Sequence, residues 1–478
     1  MQRLQSTIDH AFGIIVAWIT PILFFDFGVG IPFIIVVLVA GGIFFTIRYG
    51  FVNVRLFKHG IDCVRGKFDD PDDPGEISHF RALTSALSAT VGLGNIAGVA
   101  VAIAAGGPGA IFWMWLVAFF GMSLKFSSCT LAQMYRHIGP DGHVLGGPMV
   151  YLRDGIREQH PGLGWLGSSL GFLFAILTVL ASFGGGNMFQ GKMSFEISRS
   201  VIPALGQVPG GAWIVGIVFA ALVGVVIIGG IRRIGEVTGR LVPAMCAFYV
   251  AICVIIIATN ADRVPSLLAE IFRQAFAPEA AFGGFIGVLV QGTRRAAFSN
   301  EAGLGSAAIA HAAARTDEPV REGSVAMLGP FIDTIVVCTM TALAILITDV
   351  HDPGTQMSWA EGAVLTARAF GTLHASAQYL LVIAVIVFAY STMISWSYYG
   401  ERAAEFLFGR AGIVPYRFIY VFFVALGPVL RVDDVLDFSD MMLLSMAFPN
   451  VIGMMFLARH VRQQADEYIT TIPTEAGR

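Results

Sequence analysis

Apolar stretches of about 20 residues recur along the whole chain, and they constrain it more than any motif. A hydrocarbon core about 30 Å thick is crossed by about 20 residues of helix rising 1.5 Å each. The stretches fall at 32–51, 84–105, 108–133, 165–187, 212–230, 241–259, 282–312, 323–348, 376–399, 415–430 and 439–458. They predict an all-α polytopic membrane protein of about eleven transmembrane helices. No region alternates with the ten-residue period of a membrane β-barrel. Only 13% of the residues are charged, about half the usual soluble share. The net charge of -3 offers no basic field for a polyanion, so a nucleic-acid partner is excluded along with a soluble enzyme.

The loops orient the spans. The 52–83 segment carries Arg55, Lys58, Arg65, Lys67 and Arg81, and includes the acidic turn Asp69-Asp70-Pro71-Asp72-Asp73-Pro74-Gly75. Placing it in the cytoplasm and alternating gathers most basic residues there, including Arg136, Arg153, Arg402 and Arg462. Arg3, Lys192, Arg199, Arg263, Arg273, Arg368 and Arg431 remain outside. The positive-inside rule then predicts a cytoplasmic carboxyl terminus in a bacterial inner membrane. Residues 12–25 are apolar but short and hold Pro21, so they read as an interfacial segment. Met1 to His10 lacks a signal-peptide pattern. The five cysteines show no C-x-x-C spacing and read as apolar packing.

Two of the spans are interrupted alike. Thr90-Val-Gly-Leu-Gly-Asn95-Ile-Ala breaks the 84–105 segment, and Glu301-Ala-Gly-Leu-Gly-Ser306-Ala-Ala breaks 282–312. An odd number of spans separates them, so they cross in opposite directions, as in the inverted repeats of secondary transporters. Glycine loosens a helix, and freed backbone groups at membrane depth need partners. A half-helix N-terminus suits a carboxylate, and loosened carbonyls suit a small hard cation such as Na⁺. Close helix crossing is the rival explanation of the glycines. Both motifs formally fit G-x-G-x-x-G/A, but no strand precedes either and no acidic residue follows the first at the required distance, so a dinucleotide site is excluded.

Several polar or bulky residues stand out within the spans. Ser391 and Thr392 interrupt an apolar run and read either as back-bonding hydroxyls or as ion ligands. Phe183 borders Gly184-Gly-Gly-Asn-Met-Phe-Gln190, where the glycines leave room for a pocket wall. Lys125, Arg294, Arg295, Glu301 and Asp333 lie at membrane depth, where each costs about 3 kcal/mol unless paired or solvated. They are expected to gate or brace the site, or else to form a structural charge network, and Arg294 and Arg295 are close in sequence to Glu301. His311 falls near the cytoplasmic end of its span, where it could sense protons but reads first as a solvated helix end.

Taken together, Asp72-Asp-Pro-Gly-Glu-Ile-Ser-His-Phe80, Thr90-Val-Gly-Leu-Gly-Asn-Ile-Ala-Gly-Val-Ala100, Gly106-Gly-Pro-Gly-Ala110, Gly146-Gly-Pro-Met149, Phe298-Ser-Asn-Glu-Ala-Gly-Leu-Gly-Ser306 and Trp396-Ser-Tyr-Tyr-Gly-Glu-Arg402 resemble the alanine/glycine:cation symporter family. The resemblance implies a leucine-transporter-like fold with five-plus-five inverted repeats and one extra amino-terminal span. The repeats would be 84–260 and 261–460, after an amino-terminal segment 1–83 and before a tail 461–478. It implies substrate contacts from Gly92, Gly94, Asn95, Phe298, Ser299 and Asn300, with Phe183, Gln190 and Trp396 around them. It implies Na⁺ contacts from Thr90, Val91, Asn95 and Ser299, and a second sodium site of Ser88, Val91, Ser391 and Thr392. The sequence departs from the family after Lys125-Phe126, where Ser127-Ser128 stands in place of an acid.

The expected function is symport of a small neutral amino acid, alanine or glycine, with Na⁺ as coupling ion and H⁺ as the alternative. No enzymatic activity and no cofactor are expected. A channel would show a pore-lining ring or repeated filter, and the sequence has neither.

Overall fold

The computed structural model describes residues 13–14, 16–26, 28, 30–276, 284–350 and 359–475. Met1 to His10, Arg3, the start of the 282–312 stretch and the end of the tail with Arg478 lie outside the described residues.

Each expected apolar stretch coincides with one helix or a helix pair. Helix α1 is Phe33–Arg48, and α2 is Phe57–Val64. The first broken span is α3, His79–Thr90, with α4, Gly94–Gly106, bent by 55°. Helix α5 is Gly109–Met134. A small antiparallel hairpin of β1, His137–Ile138, and β2, Val144–Leu145, sets His137 opposite Leu145. Then come α6, Pro148–Gln159, α7, Pro161–Val201, α8, Gly211–Ile227, α9, Gly230–Ala258, and the amphipathic α10, Val264–Phe276. The second broken span is α11, Gly284–Asn300, with α12, Ser306–His311. Helices α13, Pro319–Ile347, α14, Trp359–Gly371, α15, Ala377–Phe408, α16, Arg410–Val429, and α17, Val432–Ile472, complete the described chain.

Burial follows the solvent this fold expects. Helices α8 and α16 turn Ile214, Ile217, Leu222 and Phe418 outward, as a lipid-facing surface requires. Polar side chains gather inside, among them Asn95, Ser299, Asp333 and Glu322, all fully enclosed.

Some boundaries differ from the sequence reading. The 52–83 segment is not all loop: α2 is helical and packs on α13, where Gly60 lies against the Ser324 carbonyl. Helix α15 extends to Phe408, so Trp396 sits well inside it rather than in its last turn. Helix α17 continues past 460, so the first part of the expected tail is helical.

Candidate functional site

The first break opens where α3 ends at Thr90. Val91 leaves helical geometry with ψ 87°, and Gly92 and Gly94 weaken the helix on either side of Leu93. The freed Gly92 N–H donates to Asn95 Oδ1 at 2.9 Å. Asn95 therefore caps the break with its oxygen, and its Nδ2 turns into the bundle. There it donates to Asp333 Oδ1 at 2.7 Å and lies 3.1 Å from Ser299 Oγ.

The second break falls within the glycine motif that interrupts 282–312, directly after Phe298, Ser299 and Asn300. Phe298, Ser299 and Asn300 form the last turn of α11, and the break runs from Glu301 (φ 55°) through Gly303 and Gly305, both at φ 87°. Asn300 Oδ1 accepts the Ala302 N–H at 2.9 Å, and its Nδ2 donates to Thr334 Oγ1 at 2.9 Å. Ser299 Oγ donates to Asp333 Oδ2 at 2.6 Å.

A third element completes the cluster. Residues Phe331–Cys338 of α13 form a π-helical run, a wide turn frequently found at functional positions. It aims Asp333, Thr334 and Cys338 at both breaks. Thr334 Oγ1 donates to Asp333 Oδ2 at 2.8 Å, and Cys338 Sγ lies 3.3 Å from Asn95 Nδ2 and 3.2 Å from Ser299 Oγ. The Asp333 carboxylate is thus held by neutral donors, and the charge of Lys125 acts on it. Carboxylate and hydroxyl oxygens in one buried spot suit a hard cation.

Ser88, Ser391 and Thr392 also meet. Ser88 Oγ donates to the Ser391 carbonyl at 2.7 Å, and Thr392 Oγ1 to the Ser88 carbonyl at 2.9 Å. Ser391 Oγ back-bonds to Phe388 at 2.9 Å, as the plainer reading of that residue expects. A Cβ on Gly92 would stand 2.7 Å from Thr392 Oγ1 and 3.4 Å from Gln190 Oε1. That Gln190 oxygen is buried without a hydrogen-bond partner among the described residues. Phe298 closes on Gly94, where an added Cβ would stand 3.2 Å from its ring, and meets Phe189 edge-on at 5.1 Å between ring centroids. Trp396 donates to Glu301 Oε1 at 3.1 Å, and Ser306 bonds the other oxygen.

Two expectations are corrected, those for Phe183 and His311. Phe183 stacks on Tyr416 and Phe423 of α16. Arg294 and Arg295, expected to gate or brace the site, pair with Asp440 of α17 at 2.5 and 3.2 Å. His311 is buried and bonded to Glu322 at 2.5 Å, so it is no solvated helix end. Sequence reasoning missed Phe189, Thr334, Cys338, Asp440 and Glu322. Only the proximity of Thr334 to Asp333 gave any signal.

One end of the bundle is zipped shut. Glu76 and Ile77 N–H groups donate to the Ala313 carbonyl, and Arg315 N–H donates back to Ile77 at 2.7 Å. Arg136 clasps this zipper, giving hydrogen bonds to the carbonyls of Pro74, Ala312, Ala314 and Thr316 at 2.5–2.9 Å. Burial pushes the Arg136 guanidinium down to about 10. In the β1–β2 turn, the Arg410 hydrogen bond holds the Asp141 carboxyl down to about 2.

A helical bundle with paired breaks, each presenting backbone and oxygen ligands at mid-depth, is the architecture of a secondary transporter. The model of the sodium:alanine symporter family matches residues 16–476, and the chain belongs to that family. It is 42% identical to the sodium/alanine symporter AgcS of Methanococcus maripaludis over 429 residues, covering 89% of this chain and 92% of that one. It is 35% identical to the probable sodium/glutamine symporter GlnT of Bacillus subtilis, covering 91% and 87%. Among solved structures, MhsT in complex with L-phenylalanine aligns with a TM-score of 0.51 at 15% identity, over 80% of this chain and 99% of that one. A manganese transporter of Eremococcus coleocola aligns with a TM-score of 0.51 at 14% identity, over 80% and 82%. These two likenesses describe the shared transporter fold.

Proposed function

We propose that this protein carries a small neutral amino acid, alanine first, into the cell with Na⁺ by alternating access. The observation that carries the reading is the convergence of Asn95, Ser299 and Asp333 from two broken spans and a π-helical turn. In it, Asp333, Ser299 and carbonyls near Thr90 and Val91 take one sodium ion. Ser88, Val91 and Thr392, with the Ser391 carbonyl, take another. The amides after Gly92 take the substrate carboxylate, and carbonyls of the Phe298–Asn300 turn, with Gln190 Oε1, take its ammonium group. Gly94, Phe298, Phe189 and Trp396 crowd the remaining space, which supports alanine over a longer side chain. The two repeats are 84–260 and 261–460. The protein sits in the inner membrane with the zippered end and the carboxyl terminus in the cytoplasm.

Reconstituted proteoliposomes test this. Alanine should accumulate only with an inward Na⁺ gradient. Accumulation driven equally by a proton gradient without Na⁺ overturns the choice of ion, and equilibration without accumulation overturns symport.

A further inference from the structure

We propose that His79, Glu322 and His311 form a proton-binding site within the cytoplasmic gate, which takes up one proton when the gate shuts and releases it when the gate opens. His79 begins α3, directly after the Glu76–Ile77 strand of the zipper, and its Nδ1 bonds Glu322 Oε2. His311 ends α12, directly before the Ala312–Thr316 strand, and its Nδ1 bonds Glu322 Oε1 at 2.5 Å. The three side chains are at most 1% exposed. Each histidine leads one strand of the zipper, and the carboxylate between them belongs to a third helix, α13. The zipper cannot part without pulling at least one imidazole off Glu322.

The proton follows from charge. With both imidazoles neutral, each Nδ1–H donates to the carboxylate, and the enclosed group carries one net negative charge. A third proton, on an Nε2, makes it neutral. Burying an uncompensated charge is costly, so the shut gate favours the protonated group. His79 Nε2 is buried without a hydrogen-bond partner among the described residues. In the parted gate the side chains meet water, which solvates the carboxylate charge and removes the need for the extra proton.

The surrounding charges oppose one another. Arg321, beside Glu322, pairs with Asp317 at 3.6 Å, while Arg136 of the α5 end gives its hydrogen bonds to neutral zipper carbonyls and keeps a positive charge that acts on Glu322. Asp69 in the acidic loop adds negative charge near His79. Cys63 of α2 and Cys129 of α5 are titratable groups on which the Glu322 charge acts. Tyr151 of α6 and Tyr399 of α15 feel Cys129 in turn, and Tyr468 of α17 is bonded to Arg321. Among groups outside the spans, Arg136 and Asp141 hold one charge state throughout pH 6–8.5, with values of about 10 and about 2.

The inference rests on alternating access and on the orientation proposed above, and its test requires neither transport nor a known substrate. The full chain is placed in lipid nanodiscs without Na⁺ or amino acid. Hydrogen exchange is followed at the zipper amides of Glu76, Ile77, Arg315 and Thr316 from pH 6 to 8.5, corrected for intrinsic chemistry. Zipper opening should rise with pH, by up to about tenfold per unit for one proton. The rise should vanish in a His79→Gln/His311→Gln double variant and in Glu322→Gln, and persist in Asp333→Asn. A flat wild-type profile overturns the proposal even if no variant folds. So does a slope that survives in a monodisperse double variant, or one that disappears in Asp333→Asn. Failure of sodium-driven uptake with the slope intact would fall on the transport reading alone.

Discussion

Asp333 links the two breaks, because Asn95 and Ser299 each donate to a different oxygen of its carboxylate. Its removal therefore tests the cation site more sharply than changes on the breaks. Asp333→Asn preserves shape and removes the charge. A charge-assisted contact is worth about 1.5–3 kcal/mol, so the Na⁺ concentration for half-maximal uptake should rise by about 10- to 100-fold, read from uptake against Na⁺. Thr334→Ala, which leaves the charge in place, should shift it by less than tenfold. Asn95 was legible because glycines mark a break and a polar neighbour completes it, whereas Ser299 came only from the family resemblance. Asp333 was legible as a buried charge, but not as the partner of both, because the π-helical register that turns it inward has no signature in residue types. Phe183 departs from its expected place for a physical reason. The space left by the glycine run is taken from the other side, with Phe438 against Gly184, Leu443 against Gly185 and Trp396 against Gly186.

At the scale of elements, the second break depends on backbone that only glycine adopts without strain. Gly305 has φ 87°, and a Cβ there would stand 2.8 Å from Asn450 and from Pro148. Asn450 itself holds the break by donating to the Gly303 carbonyl at 2.8 Å. Gly305→Ala should therefore cost the 1–2 kcal/mol of a left-handed alanine, roughly, plus the overlap. Gly230→Ala is the matched control: it has φ 62° but nothing within 4 Å of the added Cβ. In detergent, thermal unfolding should fall further for Gly305→Ala than for Gly230→Ala, and equal shifts would mean that the packing at the break contributes nothing. That helices lie at these places was readable from apolar length, though not where they end, and so was the pairing of the breaks. The partner of Arg294 was not. Glu301 is seven residues away but beyond the helix end, whereas Asp440 is brought from α17 across 146 residues of sequence.

At the scale of the whole molecule, both routes to the site are tied in the same structure: one by Arg294 and Arg295 on Asp440, the other by Arg136 on the zipper. Alternating access needs these ties to oppose each other, since a ligand's apparent affinity from one side scales with the fraction of molecules open to that side. Arg136→Gln removes charge-assisted bonds that exist only while the zippered end, cytoplasmic in the proposed orientation, is shut. A loss of about 1.4 kcal/mol there moves the equilibrium tenfold toward the inward-open state. Where that state becomes dominant, external alanine should need correspondingly higher concentrations for half-saturation. Arg294→Gln removes the 2.5 Å bond to Asp440 but leaves Arg295 to neutralise it. It should favour opening on the other side, so external half-saturation should stay or fall while alanine release to the interior slows. Right-side-out and inside-out vesicles read the two directions separately. If both variants shift external half-saturation in the same direction, the two ties do not act as opposing gates.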